Sequence, residues 1–517
     1  MSDSSAPLPT GDGPWAWDRP AWPVGPPKAS RRADWLKAVE PGTLRAPTLG
    51  MLVAAAVCGV LATVVLGDGV GVNLLLCALV CAVGGGLAAR ARAGGRRPRA
   101  WTVTWALASL VLLVVPVVSA AGGPVLLAVL LAVTAGALAL QGGRRWAGVL
   151  LAPLGLAAGL LQAPSWALKA VRGRSYPGRD RVLPVLRASL VALVLVAVFG
   201  ALFAGADEAV GQLLGDLTPS VDLGQVPLRV ALLVLGLAVA LSVARTGSAP
   251  FRWDRLPVGP GRERGRLEWA VPVVALNLLF AIFAGVQVFV FFVGYQGLVR
   301  HTGVSPSVYA RQGFWQLLWV TLLALVVVAL ARRWAPRTTA AERLMVKVLL
   351  STFSGLTLVV VCSAIRRMQF YVDASGLTRL RLCVLGVEAW LGVVFLVVLV
   401  AGLTRSAEWL PRAVMLSAVV AVAGYGLVRP DAVVAEQNVA RFEQTGQLDL
   451  RNVRGLSADA VPALDRLPSG TRSCALELIG RDLAASPAPW YAISVAEDRA
   501  RDILRARPPQ DGEPMSC

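Results

Sequence analysis

IRRMQFYVDASGLTRLRLCVLGVEAW, residues 365–390, sets two apolar runs against a short charged connection. Arg366, Arg367, Arg379 and Arg381 lie between the runs, and Glu388 sits just inside the second. Charges held that close to hydrocarbon are costly, so they are the strongest functional lead in the chain. Apolar runs near the ~20 residues that cross ~30 Å of hydrocarbon, joined by short polar links, specify an all-α polytopic transmembrane bundle.

The whole composition agrees with that stretch. Of 517 residues, 56% are hydrophobic and only 16% charged, and the mean hydropathy is +0.64; a chain this apolar uses the membrane as its solvent. The formal charge of +19 would suggest nucleic acid in a soluble protein. Here the arginines gather in short loops between apolar runs, where they mark the cytoplasmic side and meet anionic lipid, so nucleic acid is set aside. Lysine occurs only at positions 28, 37, 169 and 347, which with the Ala, Val, Gly and Leu excess suits a high-GC bacterial genome and a bacterial plasma membrane.

Residues 1–46 read as a Pro/Gly/Trp-rich disordered cytoplasmic tail, followed by an N-terminal transmembrane bundle at 47–183. Spans are expected near 48–67, 70–89, 101–121 and 124–140, with basic and uncharged links alternating as the positive-inside rule demands. Residues 146–166 have basic loops on both sides and contain Pro153 and Pro164, so this stretch is expected to be re-entrant or interfacial. Further spans near 184–204, 227–244, 269–294, 314–331, 344–364, 381–403 and 412–428 bring the count to about eleven and place the tail, 429–517, outside. That tail reads as a small soluble helical domain in which Cys474 and Cys517 are able to pair; the remaining cysteines read as packing residues.

Three stretches, taken together, resemble one bacterial family: YARQGF (residues 309–314), the run from Arg367 through Tyr371 to GLTRLR (residues 376–381), and the tail around Asn438 followed by LSADAVPAL (residues 456–464). They are similar to the multi-pass membrane proteins catalogued as domain of unknown function 4173, related to group 4153. The resemblance covers residues 190–465, makes 184–428 a family-like core, and implies a membrane protein without an assigned activity, substrate or catalytic residue.

The residues themselves suggest a ligand site. Arg381 and Glu388 are seven positions apart, two helical turns or ~10 Å along one face, so both can point into one cavity. With Arg311, Arg366, Arg367, Tyr371 and Arg379 they would form an extracytoplasmic mouth suited to an anionic or lipid-like ligand. The structural alternative is that the arginines snorkel to head groups and the glutamate fixes helix packing. Two other functional classes compete with ligand binding or transport: an envelope scaffold or signalling protein recruiting a partner through its tail, and a membrane transferase using Asp207 and Glu208. No cofactor is called for, and the single histidine, His301, leaves no multi-histidine metal site.

Overall fold

In a bilayer each backbone N–H must find its acceptor within its own segment, and the apolar runs accordingly fold as helices. The computed structural model describes residues 39–173, 226–256, 265–293, 306–485 and 489–508, without 43, 68, 95, 96, 337, 405, 406 and 490. In chain order the membrane part comprises α1 (Leu49–Val65), α2 (Val72–Ala93), α3 (Ala100–Leu112), α4 (Val115–Val118), α5 (Gly122–Gln141), α6 (Trp146–Gly173) and α7 (Val226–Ser248). It continues with α8 (Arg266–Val293), α9 (Pro306–Trp334), α10 (Ala340–Ser375), α11 (Arg379–Leu403) and α12 (Leu410–Leu427). The tail holds α13 (Pro430–Thr445), α14 (Leu450–Arg454), α15 (Val461–Leu464), α16 (Ser469–Ala485) and α17 (Val495–Ala506). Among the described residues, ten helical stretches are long and apolar enough to cross a membrane, and α1 is a shorter apolar helix. The protein is a polytopic helical membrane bundle with a helical tail. The span expected at 184–204, Asp207, Glu208 and His301 lie outside the described residues.

Several boundaries differ from the sequence expectation for local reasons. The span expected at 344–364 is the 36-residue helix α10, which carries Arg366, Arg367 and Tyr371 on helix and not in a loop. Nothing breaks it before Ser375, because Ala364, Met368 and Val372 extend one buried stripe at helical spacing. It stops at Gly376, whose φ of 77° is left-handed and open chiefly to glycine. YARQGF, residues 309–314, forms the opening turns of α9. The expected span 101–121 is broken into α3 and α4 just ahead of Pro116.

The bundle has two unlike rims. At the first, Arg412 at the start of α12 donates to Gly143 O at 2.7 Å, Arg266 at the start of α8 pairs with Glu342 at 2.6 Å, and Lys347 reaches Leu403 O at 3.2 Å. This arginine rim gathers the ends of α2, α5, α7, α9 and α11 with the starts of α1, α8, α10 and α12. Opposite ends meet at the tail rim, where α13 to α17 lie over the turns between α1 and α2, α4 and α5, and α10 and α11. Helices from both sides of residue 183 interleave: α7 packs along α1 and α2, and α12 packs on α5. Small residues bring α1 and α7 together, since a Cβ on Gly236 would lie 2.7 Å from the Ala62 methyl.

Helix α6 contains the stretch expected to be re-entrant or interfacial. It is an unbroken helix with Pro153 and Pro164 inside it, and by length and composition it could cross. Both of its ends have partners among the segments of the arginine rim. Asp254 accepts from the Arg144 and Arg145 backbone N–H groups at 2.9–3.0 Å where α6 begins. Trp166 Nε1 donates to Arg45 O at 2.9 Å and packs with Met51, Ala88 and Ala244. Trp146 and Trp166 are about 30 Å apart along a helix, yet both meet the arginine rim.

Among the described residues the tail shares its core with the bundle. One hydrophobic cluster runs from Phe353, Val360 and Phe395 of the bundle into Val434, Val453, Leu464 and Leu476 of the tail. Burying each of these tail side chains contributes about 1.5–3 kcal/mol, which fastens the cap to the bundle.

Candidate functional site

At the tail rim Arg379 and Arg381, two of the arginines expected to face a ligand, are engaged by protein. Arg379, the first residue of α11, donates from Nε and Nη2 to both carboxylate oxygens of Asp431, which is 1% exposed. Arg381 donates from Nη1 to the Ser375 and Gly376 carbonyls, satisfying the end of α10, and its guanidinium lies 4.0 Å from the centre of the Tyr371 ring. Thr378 caps α11 by accepting from Arg381 N. Arg366 is exposed, with Phe370 5.9 Å away, and Arg367 is half-buried on the same helix. Arg311 belongs to α9, and its side chain lies outside the described residues.

Glu388 does not join this group. It is fully buried, and its Oε1 accepts from Thr321 of α9 at 3.0 Å, so it ties α11 to α9. The expected pair has split, because Arg381 turns back to the carbonyls of α10 while Glu388 faces into the bundle.

Sequence reading missed the buried polar side chains that join the tail to the turns. Asn73 donates to Val65 O at 2.6 Å and Gly69 O at 2.8 Å, and accepts from the Gly71 and Leu74 N–H groups at 2.8 and 2.9 Å. Its own N–H donates to Tyr491 O at 3.0 Å. Asn438 donates to Leu377 O and Val434 O, both at 2.7 Å, clamping the turn between α10 and α11. Asp459 accepts from Ser119 Oγ at 2.8 Å, Ala120 N at 3.0 Å and Ser457 Oγ at 3.1 Å. Burial pushes the Asp459 carboxyl up, against these hydrogen bonds and aided by nearby Asp431. Burial also acts on Asp431, but there the bonds from Arg379 and Ser457 prevail and hold its carboxyl below the usual range. The one visible signal was LSADAVPAL, which sets a lone aspartate in an apolar run.

The arginine rim holds a different kind of site. A cavity of about 1330 Å³ opens between the end of α2, the start of α3, the end of α5 and the segment after α7. Two of its arginines are tied to the frame: Arg92 donates to Gly247 O at 2.8 Å, and Arg412 is stacked over Trp101 with 4.8 Å between guanidinium and ring centre. Arg90, Arg97, Arg99, Arg144, Arg252 and Arg255 also line it, and none of these six forms an ion pair with a described carboxylate. Among the described residues Asp254 is the only acidic side chain lining the cavity, and it is occupied by backbone N–H groups. Trp253 Nε1 donates to Gln141 Oε1 at 3.0 Å and Gln141 Nε2 to Ala152 O at 2.7 Å, fixing one wall. Among the described residues no group of three or more His, Cys, Asp or Glu is gathered to hold a metal.

Crossing helices, a capped rim and an arginine-lined rim define a multi-pass integral membrane protein. The chain belongs to the family described as Domain of unknown function (DUF4153), whose model matches residues 106–467. The quoted motifs resemble group 4173 and its relative 4153; the match is to 4153 and begins well ahead of residue 190, within the N-terminal helices. No curated protein and no solved structure matches the chain.

Proposed function

We propose that this membrane protein binds an anionic ligand in the cavity of the arginine rim. One observation carries the reading: six arginines border a cavity of about 1330 Å³ in which the one described carboxylate is already used. Guanidinium groups in such a place are satisfied by an anion with several acceptor oxygens, of phosphate type. The extracytoplasmic mouth, with Arg379 and Arg381 committed to Asp431 and to the α10 carbonyls, is the weaker site. The positive-inside rule turns the arginine rim to the cytoplasm and the tail outward, and the disulfide-bonded state of Cys474 fits an oxidising outer compartment.

The test is thermal unfolding of the purified full chain with inorganic pyrophosphate as probe. A ligand present at a hundred times its Kd stabilises the folded state by about 2.7 kcal/mol, so the midpoint should rise for the native protein and much less for R252Q/R255Q. An equal rise in both, or none in either, counts against the site.

The scaffold alternative, in which the tail recruits an envelope protein, predicts that R252Q/R255Q leaves function intact. The inner side of the tail is taken up by the cap over the bundle, which leaves its outer side for such a partner.

A further inference from the structure

We infer that the cavity takes a membrane lipid with a phosphate-bearing head group, and that the lipid enters sideways between α2 and α3. This rests on the anion-binding role proposed above and goes further, by naming the source of the anion and its route.

The lining is graded along the helix axis. Arg90 and Arg92 stand near the end of α2, while Leu87, Gly86 and Val83 line the same cavity deeper along that helix. From Arg90 to Val83 the drop is about 10 Å at 1.5 Å per residue. On the facing side Arg97 and Arg99 precede α3, and Trp101, Thr102 and Trp105 follow them inward. Charge at the rim and apolar surface below match an amphiphile, head outward and chain inward; a free phosphate would leave the lower wall without a partner.

The lower wall also opens to the bilayer. Val83 is 59% exposed, Leu87 42% and Trp101 38%, all on helices of spanning length and composition, so the surface that lines the cavity continues into the surface that meets acyl chains. Helix α2 packs mainly on α1 and α7 whereas α3 packs mainly on α5, which leaves a cleft between them. A Cβ placed on Gly86 would meet no described residue within 4 Å, so among the described residues that part of the cleft is open. The volume of about 1330 Å³ exceeds the 300–1,000 Å³ usual for compact small-molecule sites and suits a head group with the upper part of its chains. Trp101, under the Arg412 guanidinium at 4.8 Å, stands at the level where tryptophan favours the membrane interface.

The experiment is native mass spectrometry of the full chain released from nanodiscs of phosphatidylcholine containing one-tenth phosphatidylglycerol, alongside the pyrophosphate unfolding assay. The native protein should retain phosphatidylglycerol at least fivefold over its share of the nanodisc. R252Q/R255Q should lose both that enrichment and the pyrophosphate effect. Gly86→Trp, which fills the cleft and leaves every arginine of the cavity in place, should lose lipid enrichment while keeping the pyrophosphate effect; Gly86→Leu serves in its place should the larger side chain impair folding. Pyrophosphate stabilisation without lipid enrichment in the native protein would overturn the lipid assignment and leave the anion site standing. Enrichment that survives Gly86→Trp and Gly86→Leu would overturn the lateral route. Absence of both signals would overturn the site itself.

Discussion

The two rims solve the same problem, charge at the edge of hydrocarbon, in opposite ways. At the tail rim the charged and amide side chains that join cap to turns are held by protein: Arg379 by Asp431, Asp459 through one oxygen by Ser119 and Ala120, and Asn73 by four hydrogen bonds at one turn. At the arginine rim six guanidinium groups border open volume without a described counter-charge. Closed polar networks fix a structure, whereas an open array of one sign is suited to receiving something. The contrast lies between polar groups closed on one another under the cap and six guanidinium groups that border open volume, the arrangement on which the proposed anion site rests.

The sharpest break in that comparison would come from Asn73→Ala. The substitution strands two N–H groups and two carbonyls of the turn between α1 and α2, and a loss of about 3 kcal/mol is expected, read as a lower unfolding midpoint and faster exchange of the Gly71 and Leu74 amides. An unchanged midpoint would mean that the turn is not held by this side chain. Asp431→Ala comes next, at about 2 kcal/mol, because Arg379 is half-exposed and regains water while the Ser457 N–H does not. It should make the tail more sensitive to protease without altering the pyrophosphate effect at the other rim.

A smaller effect is expected from pH. Asp431 has a depressed folded value, so its contribution is whole above the unfolded value of about 3.9 and is lost as pH falls through the lower folded one. Asp459 has a raised folded value, so its contribution has the opposite sign: docking of the tail weakens as pH rises through that value. Asp459→Asn keeps an acceptor for Ser119 and Ala120 and removes the buried charge. It should abolish the weakening on the alkaline side of that window, measured as amide exchange of 430–485 against pH; a profile unchanged from the native one would refute the assignment. The least change in stability is expected at the arginine rim, where R252Q/R255Q should stay within about 0.5 kcal/mol of the native protein while losing ligand response. Marked destabilisation there would show that these arginines, too, belong to the frame.

Hydropathy carried the spans well, because each must satisfy a length set by the bilayer alone. Residues 381–403 and 412–428 differ from α11 and α12 by no more than two residues at either end. The stretch 146–166, expected to be re-entrant or interfacial, is helical throughout and is also long and apolar enough to cross. The ligand site was far less legible. The segment 365–390 concentrates charge in sequence, and that concentration proved local: Arg381 satisfies the helix end next to it, and Glu388 turns to Thr321. The arginines of the cavity come from the end of α2, the approach to α3, the link before α6 and the segment after α7, each of which reads alone as an ordinary membrane anchor. Only the fold brings them around one volume.

The fastening of the tail also imposes an order in time. Ser119 meets Asp459 across 340 positions, and the turn between the first two helices is completed by Tyr491, close to the end of the chain. Helices that leave the ribosome early must wait in the bilayer, with their turns at the tail rim unfinished, until the tail helices have been made and have settled over them. A chain stopped after α12 would lack the acceptor for the Asn73 N–H and the partner of Ser119, so the turns made first are completed by the segments made last.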